Sequence, residues 1–122
     1  MKVIALSLLA FAALLAPGCL SPTLPLPPPD APNVIRESAP GEWLVAGDCT
    51  PGAIVTVLNL DTAEGIVFWD KLNTGLYAVT VKGAECDVAQ LEENVGGEAS
   101  STTDFALHRL DPAHPIDNPG CN

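Results

Sequence analysis

Hydrophobic and polar positions divide this chain into stretches with different periods. Val3 to Ala16 is apolar throughout, apart from Ser7. Between Leu20 and Asn33 proline recurs at Pro22, Pro25, Pro27, Pro28, Pro29 and Pro32, and no period survives. From Val34 onward, short runs alternate apolar and polar residues, as strands with one buried face do. Trp43, Val45 and Gly47 share one side of a run over 42–49. Val55 and Val57 do so over 53–60, and Tyr77, Val79 and Val81 over 76–82. Shorter runs cover 66–69, 86–92 and 102–109, the last with Phe105 and Leu107 facing inward.

Turn residues separate these runs. Thr50-Pro51-Gly52, Asp61 to Gly65, Lys71 to Gly75, Gly83-Ala84-Glu85 and Asn94 to Gly97 carry the Pro, Gly, Asn and Asp that tight turns need. No stretch keeps a helical period; the nearest, Val88 to Val95, reads as strand plus turn. Six or seven short antiparallel strands predict an all-β fold, a small β-sandwich. The expected organisation is a leader over 1–18, a Pro-rich linker over 19–33, the sandwich over 34–110 and an irregular tail over 111–122. The linker lacks backbone donors and favours extended polyproline II, which at roughly 3.1 Å per residue gives a semi-rigid stalk of about 40 Å.

The apolar run after Met1-Lys2 is too short to span a bilayer and fits the core of an export signal. Its end, Leu14-Leu15-Ala16-Pro17-Gly18-Cys19, resembles the lipobox of bacterial lipoproteins. That resemblance implies cleavage before Cys19 and acylation of its thiol. Ala16 stands where Leu is usual, and Pro17 where Ala or Ser is usual. The alternative is an ordinary signal cut near Gly18, with Cys19 left as a plain thiol. Under either reading the chain leaves the cytoplasm. Leu20, rather than Asp, after the cysteine implies an outer-membrane destination by the same resemblance.

A second resemblance lies in the turns. Gly47-Asp48-Cys49-Thr50-Pro51-Gly52-Ala53-Ile54-Val55-Thr56-Val57 looks like the opening of a bacterial Ig-like domain, and Gly75-Leu76-Tyr77-Ala78-Val79-Thr80-Val81 matches its Gly-x-Tyr strand. Gly97-Glu98-Ala99-Ser100 matches the cue before the last strand, while Cys86-Asp87 stands where Gly-Asp is usual. Carboxypeptidase regulatory-like sandwiches share these cues. The resemblance covers about residues 40–109 and implies a spacer or adhesive module without catalytic residues. Within it, Tyr77 is expected to bury its ring while its hydroxyl finds a partner.

Charge narrows the partners. The full sequence carries a net charge of −10, and loss of Lys2 with the leader makes the exported chain more acidic still. Such a surface repels phosphate backbones and anionic headgroups, so no nucleic-acid partner is expected and any membrane attachment falls to the lipid. Several acyl chains hold firmly where one binds only marginally.

Four cysteines occur: Cys19, Cys49, Cys86 and Cys121. With Cys19 acylated, three remain, for one disulfide and one free thiol. Counting alternate strand directions puts Cys49 at one pole of the sandwich and Cys86, with the end of the last strand, at the other. A strand of about seven residues spans roughly 23 Å, against an approximately 5.5 Å Cα separation across a disulfide. The count favours Cys86–Cys121, although the tail could also reach Cys49.

Candidate chemistry is sparse. His108 and His114, with Asp104 and Asp111, offer a candidate metal site, and hence a small metal-dependent enzyme as a third reading. Ser100 or Ser101 with His108 and Asp104 makes a paper triad without a nucleophile elbow. Asp61, Glu64 and Asp70 flank one loop without an EF-hand pattern. Glu92-Glu93 reads as a solvated strand end. Trp43 and Trp69 either pack in the core or, if exposed, form a carbohydrate-stacking platform. No cofactor is expected. The sequence points to a lipid-anchored, non-enzymatic module of the cell envelope, a spacer or binder of protein, with glycan binding as the alternative.

Overall fold

A computed structural model describes residues 24–113 and 120–121. Its strands are β1 (Val34–Ala39), β2 (Glu42–Asp48), β3 (Ile54–Asn59), β4 (Gly65–Trp69), β5 (Leu76–Lys82), β6 (Val88–Val95), β7 (Glu98–Ala99) and β8 (Thr103–Ala106). One sheet runs β1-β2-β5. The other runs β4-β3-β6, with β7 and β8 sharing the far side of β6. All pairings between these strands are antiparallel. The chain is thus an all-β, two-sheet sandwich, with no helix among the described residues.

Alternation explains the layers. Trp43 and Val45 of β2 lie opposite Val81 and Val79 of β5, and all four are buried. Val55 and Val57 of β3, with Ala89 and Leu91 of β6, face them from the second sheet and are fully enclosed. Each fully buried Val or Leu side chain contributes about 1.5–3 kcal/mol relative to exposure. Gly47 lies opposite Tyr77, and a Cβ there would sit 3.0 Å from the tyrosine hydroxyl and 3.2 Å from its ring carbons. Glycine is therefore what lets the ring lie across β2. The Tyr77 hydroxyl is buried with no hydrogen-bond partner among the described residues, against the expected pairing. Trp43 is a core residue whose Nε1–H donates to Gly83 O at 3.1 Å, which removes it from any surface platform.

The turns behave as their residues require. Gly52 has φ 82°, and a Cβ there would come within 2.7 Å of Asn73 Oδ1. Cys86, standing where the Ig-like resemblance expects glycine, adopts φ 70°. That left-handed conformation is uncommon for a side-chain-bearing residue.

Four elements differ from expectation. β1 is an additional strand, held to β2 through a register from Val34↔Ala46 to Ala39↔Glu42 with a bulge between Glu37 and Ala39. β6 starts at Val88, not Cys86, and continues through Glu92-Glu93 to Val95. The final expected strand is only Thr103–Ala106, with β7 before it. The Pro-rich stretch is not a free stalk along its described part. Leu26 bridges Ser100, the Thr103 hydroxyl donates to Pro29 O, and Pro29 and Pro32 are buried. Proline keeps its carbonyl acceptor and apolar ring, so it can dock without a ladder.

Candidate functional site

The expected site residues do not converge on one centre. Cys19 and His114 lie outside the described residues. Cys86 and Cys121 are joined as a disulfide, with S–S 2.06 Å and Cα–Cα 5.5 Å. His108 Nδ1 lies 3.3 Å from Glu85 Oε1. Cys86, His108 and Cys121 have potential ligand atoms within 4.8 Å of one another, but both sulfurs are spent in the disulfide. Asp104 accepts from Gln90 Nε2 at 3.1 Å. Ser100 Oγ is fixed between Glu93 N (2.9 Å), from which it accepts, and Ser101 O (2.7 Å), to which it donates. A hydroxyl held that way is a brace, not a nucleophile.

The acids serve backbone. Asp70 is 2 % exposed and accepts from Gly52 N, Thr74 N, Thr74 Oγ1 and Gly75 N at 2.8–3.1 Å. Desolvation alone would raise its carboxyl; donors from Gly75, Thr74 and Gly52 outweigh it and hold the pKa at about 2. Asp61 instead accepts from Val88 N at 2.7 Å, so Asp61 and Asp70 serve separate backbone donors. Glu93, expected to be solvated, is 7 % exposed and takes both the N–H and the hydroxyl of Thr50. Asn59, fully buried, donates to Asp87 and Lys82 O and accepts from Asp61 N. The Asn59 side chain and Ala84 N–H together lower the Asp87 pKa.

A cleft of about 390 Å³ separates the docked Pro-rich stretch from Asp48, Cys49, Thr50 and Glu93. Cys49 is a free, half-buried thiol. Burial first, then Asp70, Glu93 and Asp48, push its pKa up to about 11. The thiolate is the nucleophile, so this group is inert near neutrality.

The edge strand β4 has no covering strand among the described residues. Asp70 N donates to Ala53 O and Asn59 N to Glu64 O. With the register Ile54↔Trp69 to Leu58↔Gly65, the antiparallel ladder therefore bonds Ile66 and Phe68 inward to β3. The amides of Gly65, Val67 and Trp69 point away from the sheet. The Trp69 carbonyl accepts from Lys71 N at 2.9 Å and keeps a second lone pair. Along this edge Val67 is 63 % and Trp69 55 % exposed. Ile54 lies opposite Trp69 and is also exposed, so the outer face here is apolar. Lys71 Nζ sits 5.0 Å from the Trp69 ring centroid, a cation–π contact.

The β1 and β7–β8 edges are protected. Ile35 and Leu110 exchange backbone bonds of 2.7 and 2.8 Å across the outside of β1. The Pro-rich stretch borders the β7–β8 side through Ser100 and Thr103. β5, the outer strand of the first sheet, pairs only with β2 among the described strands, carries Lys82 at its end and faces Gly65 and Ile66 of β4 across a groove. Proteins commonly blunt open edges with charge, proline or cover, and β4 carries none of these within its span. Sequence reasoning found the 66–69 run but not its edge position. Its continuous apolar character was the available signal, and it fits a strand buried on both faces equally well.

A scan of family models, a search of curated proteins and a search of solved structures each found no match for this chain.

Proposed function

We propose that this chain is a lipid-tethered, non-enzymatic module of the bacterial cell envelope that binds protein through the open edge of β4. The observation that carries the binding role is the row of amides at Gly65, Val67 and Trp69 that have no partner among the described residues, flanked by exposed apolar side chains. Such an edge takes an added strand: main-chain bonds supply affinity and alternate side chains supply selectivity. Support for export comes from the Cys86–Cys121 disulfide, which suits an oxidising compartment. The tether rests on the lipobox resemblance at Cys19, and the spacer-like character on the Ig-like resemblance of residues 40–109. The acidic surface leaves membrane attachment to acyl chains.

The test is a photo-crosslinking side chain at Val67 in the full chain, made in the living bacterium. An adduct from position 67, absent when the same group replaces exposed Ser38 in β1, supports the reading. No adduct from position 67 refutes it. Intact mass of protein extracted from membranes tests the tether: acyl chains on a chain beginning at Cys19 are expected.

Glycan binding is the second reading, favoured by the exposure of Trp69. The Lys71 ammonium over the ring and the enclosure of Trp43 leave a small platform. Tryptophan quenching by polysaccharide would support it.

A further inference from the structure

From the arrangement of β4, we infer that the protein taken up by this edge is a second copy of the same chain, paired β4 to β4 about a two-fold axis at Val67. This deepens the binding reading above and rests on it.

The register is set by the backbone. The outward amides belong to Gly65, Val67 and Trp69, which are symmetric about Val67. An antiparallel partner aligned Val67 to Val67 places Gly65 opposite the other copy's Trp69. All three residues then form hydrogen-bonded pairs, and every outward N–H has an acceptor. A slip by one residue sets outward amides against groups already committed to β3.

Side chains agree with that register. Trp69 of each copy lies beside Gly65 of the other, which has no side chain to obstruct the ring and leaves backbone for it to cover. Ile66, exposed although it faces the sandwich interior, lies opposite Phe68 of the second copy. A groove of about 360 Å³ beside Ile66, lined also by Gly65, Thr80 and Val81, gives the incoming strand room. Antiparallel pairing also brings Lys71 of one copy near Glu64 of the other; Asp70, which falls opposite Glu64, spends its carboxylate on Gly52, Thr74 and Gly75. A two-fold contact uses one patch twice, as here.

The contact is small. A strand of five residues covers less than the roughly 800 Å² per partner of a stable interface. A weak dimer is therefore expected, with a dissociation constant on the order of 10 μM to 1 mM. Tethering on one surface would raise the local concentration of copies.

The test is native mass spectrometry of the full chain, released from detergent over that concentration range. A dimer that grows with concentration is expected. Val67→Lys places two ammonium groups face to face on the axis, at a position already exposed, and should weaken association at least tenfold. Val67→Pro removes the central donor, which is unpaired in the monomer, and should do the same. Each variant is checked for an unchanged unfolding midpoint. A chain that stays monomeric throughout, or a dimer indifferent to both substitutions, overturns the inference. The photo-adduct at position 67 separates the two levels. An adduct of twice the chain mass supports the second copy. An adduct with a different protein sinks the second copy but leaves the binding reading, and no adduct sinks both.

Discussion

Tyr77→Phe is expected to stabilise this protein, although removing a buried tyrosine hydroxyl more often costs stability. The hydroxyl is enclosed, 3.0 Å from where a Cβ on Gly47 would stand, and has no hydrogen-bond partner among the described residues. A buried unsatisfied hydroxyl costs about 1–3 kcal/mol. Its removal leaves the ring in place, so the small gap left beside Gly47 offsets part of that gain. The net expectation is about 1 kcal/mol of added stability, or about 4–8 °C in Tm for a domain of this size. Gly47→Ala tests the same geometry from the other strand. Its methyl meets the hydroxyl at 3.0 Å and two ring carbons at 3.2 Å. Overpacking of that kind costs about 1–3 kcal/mol. In the double variant the hydroxyl contact disappears while both ring contacts remain, so recovery is partial and the effects are non-additive. Thermal unfolding by circular dichroism and guanidinium titration provide the readout. A lower midpoint for Tyr77→Phe refutes the reasoning, because it means that the hydroxyl has a favourable partner.

Leu91→Ala, at a fully enclosed position opposite Val57 and Thr103, should cost about 2–5 kcal/mol by urea denaturation; a cost under 1 kcal/mol contradicts the assigned core. Asp70→Asn should lower Tm at neutral pH, since an amide cannot accept from all the donors around it. The native carboxyl is held at about 2, below its ordinary 3.8, so its stabilisation is complete above 3.8 and fades as pH falls towards 2. The gap between wild type and variant should close across that window, and a gap unchanged at pH 2 speaks against this role. Alkylation of Cys49 in the folded protein should keep accelerating up to pH of about 11, against about 9 for the unfolded chain; a folded-state midpoint at or below 9 counts against the buried, acid-flanked thiol.

Much of the sandwich was legible because one-sided burial leaves a period of two. Trp43 and Val45, Val55 and Val57, and Tyr77, Val79 and Val81 all face the core as their spacing requires. The placement of Cys86 with Cys121 followed from alternating strand direction. It survived the extra β1 because that strand precedes every strand used in the count. β1 itself was obscure: Ile35 is its single buried residue, and charged Arg36 and Glu37 follow. Docking of Pro29 and Pro32 left no trace in the pattern, since proline pairs through a carbonyl and a ring rather than through a strand period. Glu93 misled because an acid in a strand reads as solvated; Thr50, across the sandwich pole, supplies the donors that bury it. The β4 edge is a property of sheet order, and neither strand periodicity nor residue type encodes which strand ends outermost.

Residue-resolved amide hydrogen exchange along β4 tests the central claim most directly. In dilute protein, Ile66 and Phe68 should exchange slowly and Gly65, Val67 and Trp69 fast, and the fast set should gain protection as concentration rises. Slow exchange at Val67 at the lowest concentration would contradict an open edge, and fast exchange there at the highest would contradict its use.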